Sequence, residues 1–222
     1  MKHYLKIFLS SILAGLCIFL GSTVFLLVSP SNKVLASFLF TIGLFTIIQF
    51  KLYLYTGKIG FLTDNKPSYI IDLIICFVGN ILSAVFFSWI VSLTKMGPAL
   101  YEAAQAVVSS KYNDSWYSIL ILSFFCGIMI YIAVKGHEIC QYSVGKAFLV
   151  ILPVMLFIIC GFEHVVANAA YFTYAKVFDL KTVLYFFLMM LGNSLGSIFF
   201  HVIYKLIVKF NEEKKEEKKE DN

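Results

Sequence analysis

The chain has 222 residues, of which 60% are apolar and only 14% are charged, and its mean hydropathy is +0.85. A soluble domain carries about a quarter charged residues because its surface must contact water, so this composition excludes a soluble protein. The formal net charge is +5, and all 18 basic residues are lysines. Because arginine is absent and the lysines are scattered, we expect no nucleic-acid partner.

Six largely apolar segments predict six transmembrane helices in contact with the lipid bilayer. In chain order they cover residues 7–32, 34–50, 73–94, 115–134, 147–175 and 182–204. The first follows two lysines as a signal peptide would, but it is long and leads directly into further spans, so we interpret it as a helix. Six spans place both termini on one side. Lysines are more frequent on that side, which predicts that both termini are cytoplasmic.

The second and fifth spans are interrupted. Residues 34–50 would extend only about 25 Å as a helix, which is less than the roughly 30 Å of the hydrocarbon core. The fifth span meets Glu163 and His164 partway along its length. The chain becomes apolar again beyond each interruption, so we predict two broken helices whose non-helical backbone lies beside protein or water.

The third and sixth spans share a Gly-Asn pair, Gly79-Asn80 and Gly192-Asn193. This register predicts two repeats of three spans, at about residues 5–96 and 112–210, within one transmembrane domain of residues 1–210. Because three is odd, the repeats are inverted, and broken helices in such repeats mark a transport path. Close helix packing alone is the alternative role of the pairs. Residues 211–222 form a charged tail, interpreted as a solvated helical extension or, alternatively, a docking segment.

Glu163 and His164 are the candidate functional pair, because ionisable groups within a membrane are costly and usually functional. A histidine here could lend a proton to a passing anion. The alternative is a hydrogen-bonded histidine that only ties two helices together.

The segment Gly161-Phe162-Glu163-His164, continued by Ala167-Asn168, resembles a signature of the formate/nitrite transporter family. Further matching residues follow at the family's spacing in span two, before span four and in the Gly-Asn pairs. The resemblance implies an all-α integral membrane protein with an aquaporin-like 3+3 inverted repeat, assembled as a homopentamer with one pore per protomer. We expect it in a bacterial cytoplasmic membrane.

The resemblance also implies roles for individual residues. His164 would be the central histidine, hydrogen-bonded to Thr56, with Glu163, Lys111 and Asn193 as a polar relay. The apolar constriction residues would be Phe40, Leu44, Leu54, Tyr55 and Phe157. The implied function is a channel or transporter for small monovalent weak-acid anions, formate first and nitrite or hydrosulfide as further candidates. His164 would protonate the anion between two constrictions. No enzyme activity, cofactor or metal is expected.

Three departures distinguish this chain from the family pattern. Gly127 stands where an asparagine of the relay is usual, and Lys51 enters a loop where an acidic residue is usual. The N-terminal extension is also short. Lys51 either lines the pore or extends to the membrane interface.

Two other classes of function remain as alternatives. One is an aquaporin-type channel for a neutral solute, because Ala167-Asn168-Ala169 faintly resembles the paired Asn-Pro-Ala motifs of such channels. No matching copy occurs in the first half of the chain. The other is an intramembrane enzyme with Glu163, His164 and His201 at a metal site, although the chain has neither an HExxH nor a GxSxG motif.

Overall fold

Helices provide the regular structure of residues 1–220, which are the residues that the computed structural model describes. In chain order they are α1 (Lys2–Val28), α2 (Lys33–Gln49), α3 (Tyr55–Lys58), a 3-10 helix (Ile59–Asp64), α4 (Tyr69–Ser92), α5 (Gly97–Tyr112), α6 (Trp116–Ile139), α7 (Ser143–Ile159), α8 (Val165–Ala175) and α9 (Leu180–Glu220). Residues 221 and 222, which end the predicted tail, lie outside this range.

Four of the helices, α1, α4, α6 and α9, are long and apolar enough to cross a bilayer. They correspond to the first, third, fourth and sixth predicted spans. Helices α2 and α7 are also apolar but have only 17 residues each. Large apolar side chains such as Leu9, Phe86 and Phe187 are more than half exposed on the protomer surface. The chain is therefore a multi-pass membrane protein.

Capping residues fix where several helices begin and end. Asn32 accepts a hydrogen bond from the backbone N–H of Leu35 at 2.9 Å and begins α2. Ser115 accepts one from Ser118 at 3.3 Å and begins α6. Both side chains satisfy backbone donors that have no partner within the helix. Helix α1 ends two residues before Pro30, which cannot continue a helix.

The helices pack as two similar groups. Helix α1 packs against α2 and α4, and α6 packs against α7 and α9. Contacts between α2 and α7 join the two groups. The short helix α8 lies between them and packs on α1, α4 and α5. Every residue of α8 from Val165 to Ala175 is buried.

Helix α5 was not among the predicted elements. Apart from Tyr101, its exposed residues are polar or small, so no apolar run reveals it, but Leu100, Ala104 and Val108 recur every four residues and are buried. Pro98 stands in its first turn, where its fixed φ favours helix initiation. The helix runs over α8 and carries Lys111 in its last turn.

Gly127 lies at a close approach of α6 and α9. A Cβ atom at this position would lie 2.2 Å from the backbone oxygen of Asn193. Gly15 has the corresponding relationship with α4, since its Cβ would lie 2.5 Å from the backbone oxygen of Asn80. The departure from asparagine at position 127 therefore has a steric reason: the backbone of α9 occupies the space that a side chain would need.

Candidate functional site

The two helix interruptions have the same backbone geometry. Helix α2 is followed by Lys51 with φ 55° and helix α7 by Gly161 with φ 72°, both in the left-handed region. Beyond them, the Leu52 N–H donates to the Ile47 carbonyl at 2.9 Å, and the Phe162 N–H to the Phe157 carbonyl at 2.8 Å. This pattern is the Schellman motif, which ends a helix while satisfying its last carbonyls.

Asn80 holds the backbone that follows the first interruption. Its Oδ1 accepts a hydrogen bond from the Tyr55 N–H at 2.8 Å, and its Nδ2 donates to the carbonyls of Ser11 at 2.9 Å and Tyr53 at 3.0 Å. The side chain is completely buried. Its amide therefore provides the polar contacts that non-helical backbone needs where water is absent.

Asn193 does the same at the second interruption. Its Oδ1 accepts from the Val165 N–H at 3.0 Å, and its Nδ2 donates to the carbonyls of Ser123 at 2.8 Å and Glu163 at 2.7 Å. The family resemblance implied a place for Asn193 in a polar relay. In the structure its contacts are to backbone, so it holds the backbone of Glu163 and does not line the cavity beside His164.

His164 stands at the start of α8, with 2% of its surface exposed. Its Nδ1 accepts a hydrogen bond from the Ala167 N–H at 3.1 Å. A nitrogen that accepts is unprotonated, so the neutral ring carries its hydrogen on Nε2. That atom lies 2.9 Å from Thr56 Oγ1, to which it donates. The ring of Phe157 stacks on the imidazole with centroids 5.9 Å apart.

Glu163 and Lys111 form a buried ion pair beside the histidine. The lysine Nζ lies 2.7 Å and 2.6 Å from the two carboxylate oxygens. Asn168 Nδ2 donates to Glu163 Oε2 at 2.8 Å, which satisfies part of the desolvated carboxylate. Asn168 belongs to the Ala167-Asn168 motif but had no predicted role of its own. Its Oδ1 is buried and has no hydrogen-bond partner among the described residues.

Two cavities approach this region from opposite sides of the helix bundle. The first, called the His164 cavity, has a volume of about 200 Å³, and its polar lining includes Lys33, Ser110, Lys111, Glu163, His164 and Asn168. The second, called the Lys51 cavity, has a volume of about 370 Å³, and its lining includes Leu44, Lys51, Leu54, Lys58, His137 and Lys146. The two cavities share no lining residue.

Apolar side chains lie between the cavities. Phe157 lines the His164 cavity, whereas Leu44 and Leu54 line the Lys51 cavity. Phe40 lines neither and packs edge-on against Phe157 with centroids 5.9 Å apart. At most 3% of the surface of each of these four residues is exposed.

Tyr55 lies apart from the other residues that were predicted to form constrictions. Its ring packs against Phe77 with centroids 5.0 Å apart, and its hydroxyl lies 2.8 Å from that of Ser194. It lines neither cavity. The sequence cannot show this difference because Leu54 and Tyr55 are adjacent and both apolar, and the left-handed turn before them decides which side chain faces the cavity.

Two lysines near the cavities have different environments. Lys51 is exposed and lines the cavity named after it. Lys33, for which no role was predicted, donates to the Ile159 carbonyl at 3.0 Å and lines the His164 cavity. A cation at the end of α7 interacts favourably with the helix dipole.

His201 does not form a metal site with Glu163 and His164. Its Nδ1 lies 3.0 Å from the Tyr131 hydroxyl, and its Nε2 lies 3.0 Å from Asp64 Oδ2. Within residues 1–220, no group of three or more His, Cys, Asp or Glu residues has an arrangement that could hold a metal ion.

A family model and two curated relatives match this chain. The family model for formate/nitrite transporters matches residues 1–207. The uncharacterized transporter YrhG of Bacillus subtilis is 36% identical over 91 residues, which cover 41% of this chain and 34% of that protein. The formate channel FocA of Haemophilus influenzae is 25% identical over 183 residues, covering 72% and 63%. The chain therefore spans less than two thirds of the length of either curated relative.

Solved structures show the same fold. A pentameric formate channel with formate bound superposes with a TM-score of 0.82 at 20% identity, covering 94% of this chain and 98% of that one. An FNT family ion channel superposes with a TM-score of 0.79, also at 20% identity, covering 92% and 90%.

Proposed function

This chain belongs to the formate/nitrite transporter family, and we propose that it conducts small monovalent weak-acid anions across a membrane. Formate is the first choice, and nitrite and hydrosulfide are further candidates. The observation that carries the proposal is the buried His164, hydrogen-bonded to Thr56 at 2.9 Å beside the apolar side chains that separate two cavities. The FocA relative, which is named as a formate channel, favours formate. Transport rather than catalysis is the proposed activity.

The proposed path lies within an aquaporin-like inverted repeat of residues 5–96 and 112–210. The tail from residue 211 follows the second repeat in the chain. The matching ends of α2 and α7 support this symmetry, as do the matching hydrogen bonds of Asn80 and Asn193. Discontinuous helices in inverted repeats meet near the bilayer midplane, where substrates cross. His164 belongs to one such meeting point, and Leu54 has the corresponding position at the other.

The proposed orientation places both termini in the cytoplasm of a bacterial cell. The Lys51 cavity would then open to the cytoplasm, because α2 returns to the side on which α1 begins. The excess of lysines on that side supports this orientation. The His164 cavity would face the outside.

We also propose that five copies assemble around a common axis, each with its own path. The similar fold of the pentameric formate channel supports this assembly. The protomer surface also has many exposed apolar side chains, which could contact either lipid or a neighbouring copy.

An anion would enter the His164 cavity past Lys33 and Lys111. Cations at the mouth of a cleft raise the local concentration of anions. Because Glu163 lies 2.6 Å from Lys111, it offsets part of that charge and so prevents tight binding, which would slow conduction.

The anion must lose its charge before it passes Phe157, Phe40 and Leu44. Moving a bare charge into an apolar region costs tens of kcal/mol in the idealised limit. In this proposal the anion takes the Nε2 proton of His164 in concert with delivery of a solvent proton to the same nitrogen, so no imidazolate forms and the ring is unchanged after each passage. The Ala167 N–H, which binds Nδ1, keeps Nε2 as the donor.

Flux measurements in proteoliposomes test the proposal. Formate, nitrite and hydrosulfide fluxes are measured between pH 5 and 8 for the native chain and for His164→Asn and His164→Phe. Loss of pH-coupled flux in both variants is expected, while His3→Asn, at an exposed position, retains it. Unchanged flux in His164→Asn would contradict the role of the ring as proton donor.

A further inference from the structure

Three lysines line the Lys51 cavity without an acidic partner. They are Lys51, Lys58 and Lys146, and no carboxylate of the described chain lies within 4.0 Å of their ammonium groups. Glu138 also lines this cavity, but its carboxylate already pairs with Lys135 at 3.0 Å. The lining therefore carries an excess of positive charge.

The charges of the His164 cavity are compensated instead. Lys111 lies 2.6 Å from a carboxylate oxygen of Glu163, and Lys33 donates to the backbone carbonyl of Ile159 at 3.0 Å. The Lys51 cavity is therefore the one of the two whose lysines are free to pair with a bound anion.

The three lysines come from different elements, which surround the cavity. Lys51 follows α2, Lys58 ends α3, and Lys146 lies in the first turn of α7. Lys51 also has a left-handed backbone with φ 55°, a conformation that glycine adopts without strain. The corresponding residue after α7 is Gly161. Lys176 has the same left-handed backbone with φ 56° but lines neither cavity, so the conformation of Lys51 shapes the lining of its cavity without by itself marking a ligand site.

The cavity is also much larger than the proposed cargo. Its volume is about 370 Å³, whereas formate needs about twice the volume of a water molecule, or roughly 60 Å³. A ligand with several oxyanion groups would fit this volume.

We propose that the Lys51 cavity binds a multivalent oxyanion, with two or more negative charges on phosphate or carboxylate groups, and that the bound anion blocks the path from this side. Several charges gain from several cations at short range. One proton from His164 would leave such an anion charged, so it could not pass Leu44 and Leu54. The binding step stands independently of the proposed transport function, whereas the block rests on it.

Calorimetry on the purified protein tests binding. The probes are inorganic pyrophosphate, citrate and formate at low ionic strength, so that phosphate and carboxylate ligands are distinguished from each other and from a monovalent anion. Pyrophosphate or citrate is expected to bind and formate not to bind measurably. The triple variant Lys51→Met, Lys58→Met, Lys146→Met should bind at least about tenfold more weakly, since screened charge pairs each contribute a modest part of the affinity.

A control variant removes the same charge elsewhere. Lys2→Met, Lys66→Met, Lys95→Met changes three exposed lysines that line neither cavity and should bind as the native chain does. If the first triple variant does not fold, Lys51→Gly removes one of the charges while suiting the local backbone. Equal binding by cavity and control variants, or no binding of either multivalent probe, would overturn the proposal.

Flux measurements test the block. Pyrophosphate is supplied on one side of the vesicles at a time, and protease cleavage of the C-terminal tail reports the orientation of the protein. Formate flux should fall several-fold only when pyrophosphate is on the Lys51 side, and the cavity variant should resist this inhibition. Binding without inhibition would refute the block. Binding in a native chain that conducts neither formate, nitrite nor hydrosulfide would refute the proposed function and leave the anion site intact.

Discussion

Lys51 and Gly161 occupy the same position in two helix-terminating motifs, one residue past the last turn of α2 and of α7, and both have left-handed backbone. A side chain at this position costs about 1–2 kcal/mol relative to a right-handed backbone. Only one of the two positions is occupied by the residue that avoids this cost.

We expect Lys51→Gly to stabilise the protein by about 1 kcal/mol, after allowing for the greater entropy of glycine in the unfolded chain. Gly161→Ala should destabilise it by a similar amount, and only through the backbone, because no atom lies within 4 Å of the added Cβ. Denaturant unfolding in detergent measures both changes. Lys51→Ala is the control, because it removes the same charge but retains the strain. If it stabilised the protein as much as glycine does, charge repulsion rather than φ would be the cause.

Replacing either buried asparagine by alanine should lower stability by about 2–3 kcal/mol, because backbone groups at an interruption lose their partners while still buried. The similar contacts of Asn80 and Asn193 predict similar losses. Asn113→Ala, at an exposed position, should change stability by less than about 0.5 kcal/mol. A small effect of Asn193→Ala at an unchanged fold would mean that water replaces its hydrogen bonds.

Thr56→Val should reduce formate flux roughly five- to tenfold, because it removes the hydrogen bond between Oγ1 and His164 Nε2 while keeping the volume of the side chain. Thr56→Ser should restore most of the flux. The assay is stopped-flow uptake in proteoliposomes with matched protein content. A valine variant with native flux would show that the histidine works without this partner.

Gly127→Asn, which introduces the residue usual in the family, should prevent correct folding. Even Gly127→Ala places a Cβ 2.2 Å from the Asn193 backbone oxygen, which requires α6 and α9 to separate at a cost of about 1–3 kcal/mol. Gly136→Ala is the matched control, since its nearest contact is a flexible Leu149 side-chain atom at 3.2 Å. The amount of monodisperse protein in detergent compares the two variants. Equal amounts would show that the helices adjust easily.

Asp64 should contribute stability that depends on pH. The nearby Lys205 ammonium and His201 hold the pKa of this carboxyl below its ordinary value of 3.8. A lowered pKa means that the stabilisation is complete above pH 3.8 and disappears as the pH falls through the folded-state value. Asp64→Asn should therefore melt at a lower temperature than the native chain at pH 7. This difference should close at lower pH, whereas Glu102→Gln, which is exposed, should show no such convergence.

The sequence predicted the parts of the fold that depend on local composition. Runs of apolar residues located the long helices α1, α4, α6 and α9, because their length must match the bilayer. The short charge-free runs located the ends of α2 and α7. Helix α5 was missed because its burial depends on its fit over α8, and residues 97–112 are not apolar enough to indicate a membrane segment.

The site could be predicted only in part. The bond between His164 and Thr56 joins residues 108 positions apart, and only the family resemblance indicated it. The same source placed Lys111 and Glu163 in one polar relay but did not specify the ion pair between them. The contacts of Asn168, Lys33 and Tyr55 depend on which way each interruption turns the chain, a property of tertiary packing that residue spacing does not encode.

The attachment of Asn193 to a continuous helix limits how the chain can vary. Helix α9 has 41 residues, and each residue advances the helix by about 100°. Deleting one residue between Tyr185 and Asn193 would rotate the amide about a quarter turn away from the carbonyl of Glu163. Insertions and deletions are therefore tolerable in the connecting loops and beyond the membrane. Along the last span the spacing of residues is fixed, because the Asn193 amide must face the Glu163 carbonyl.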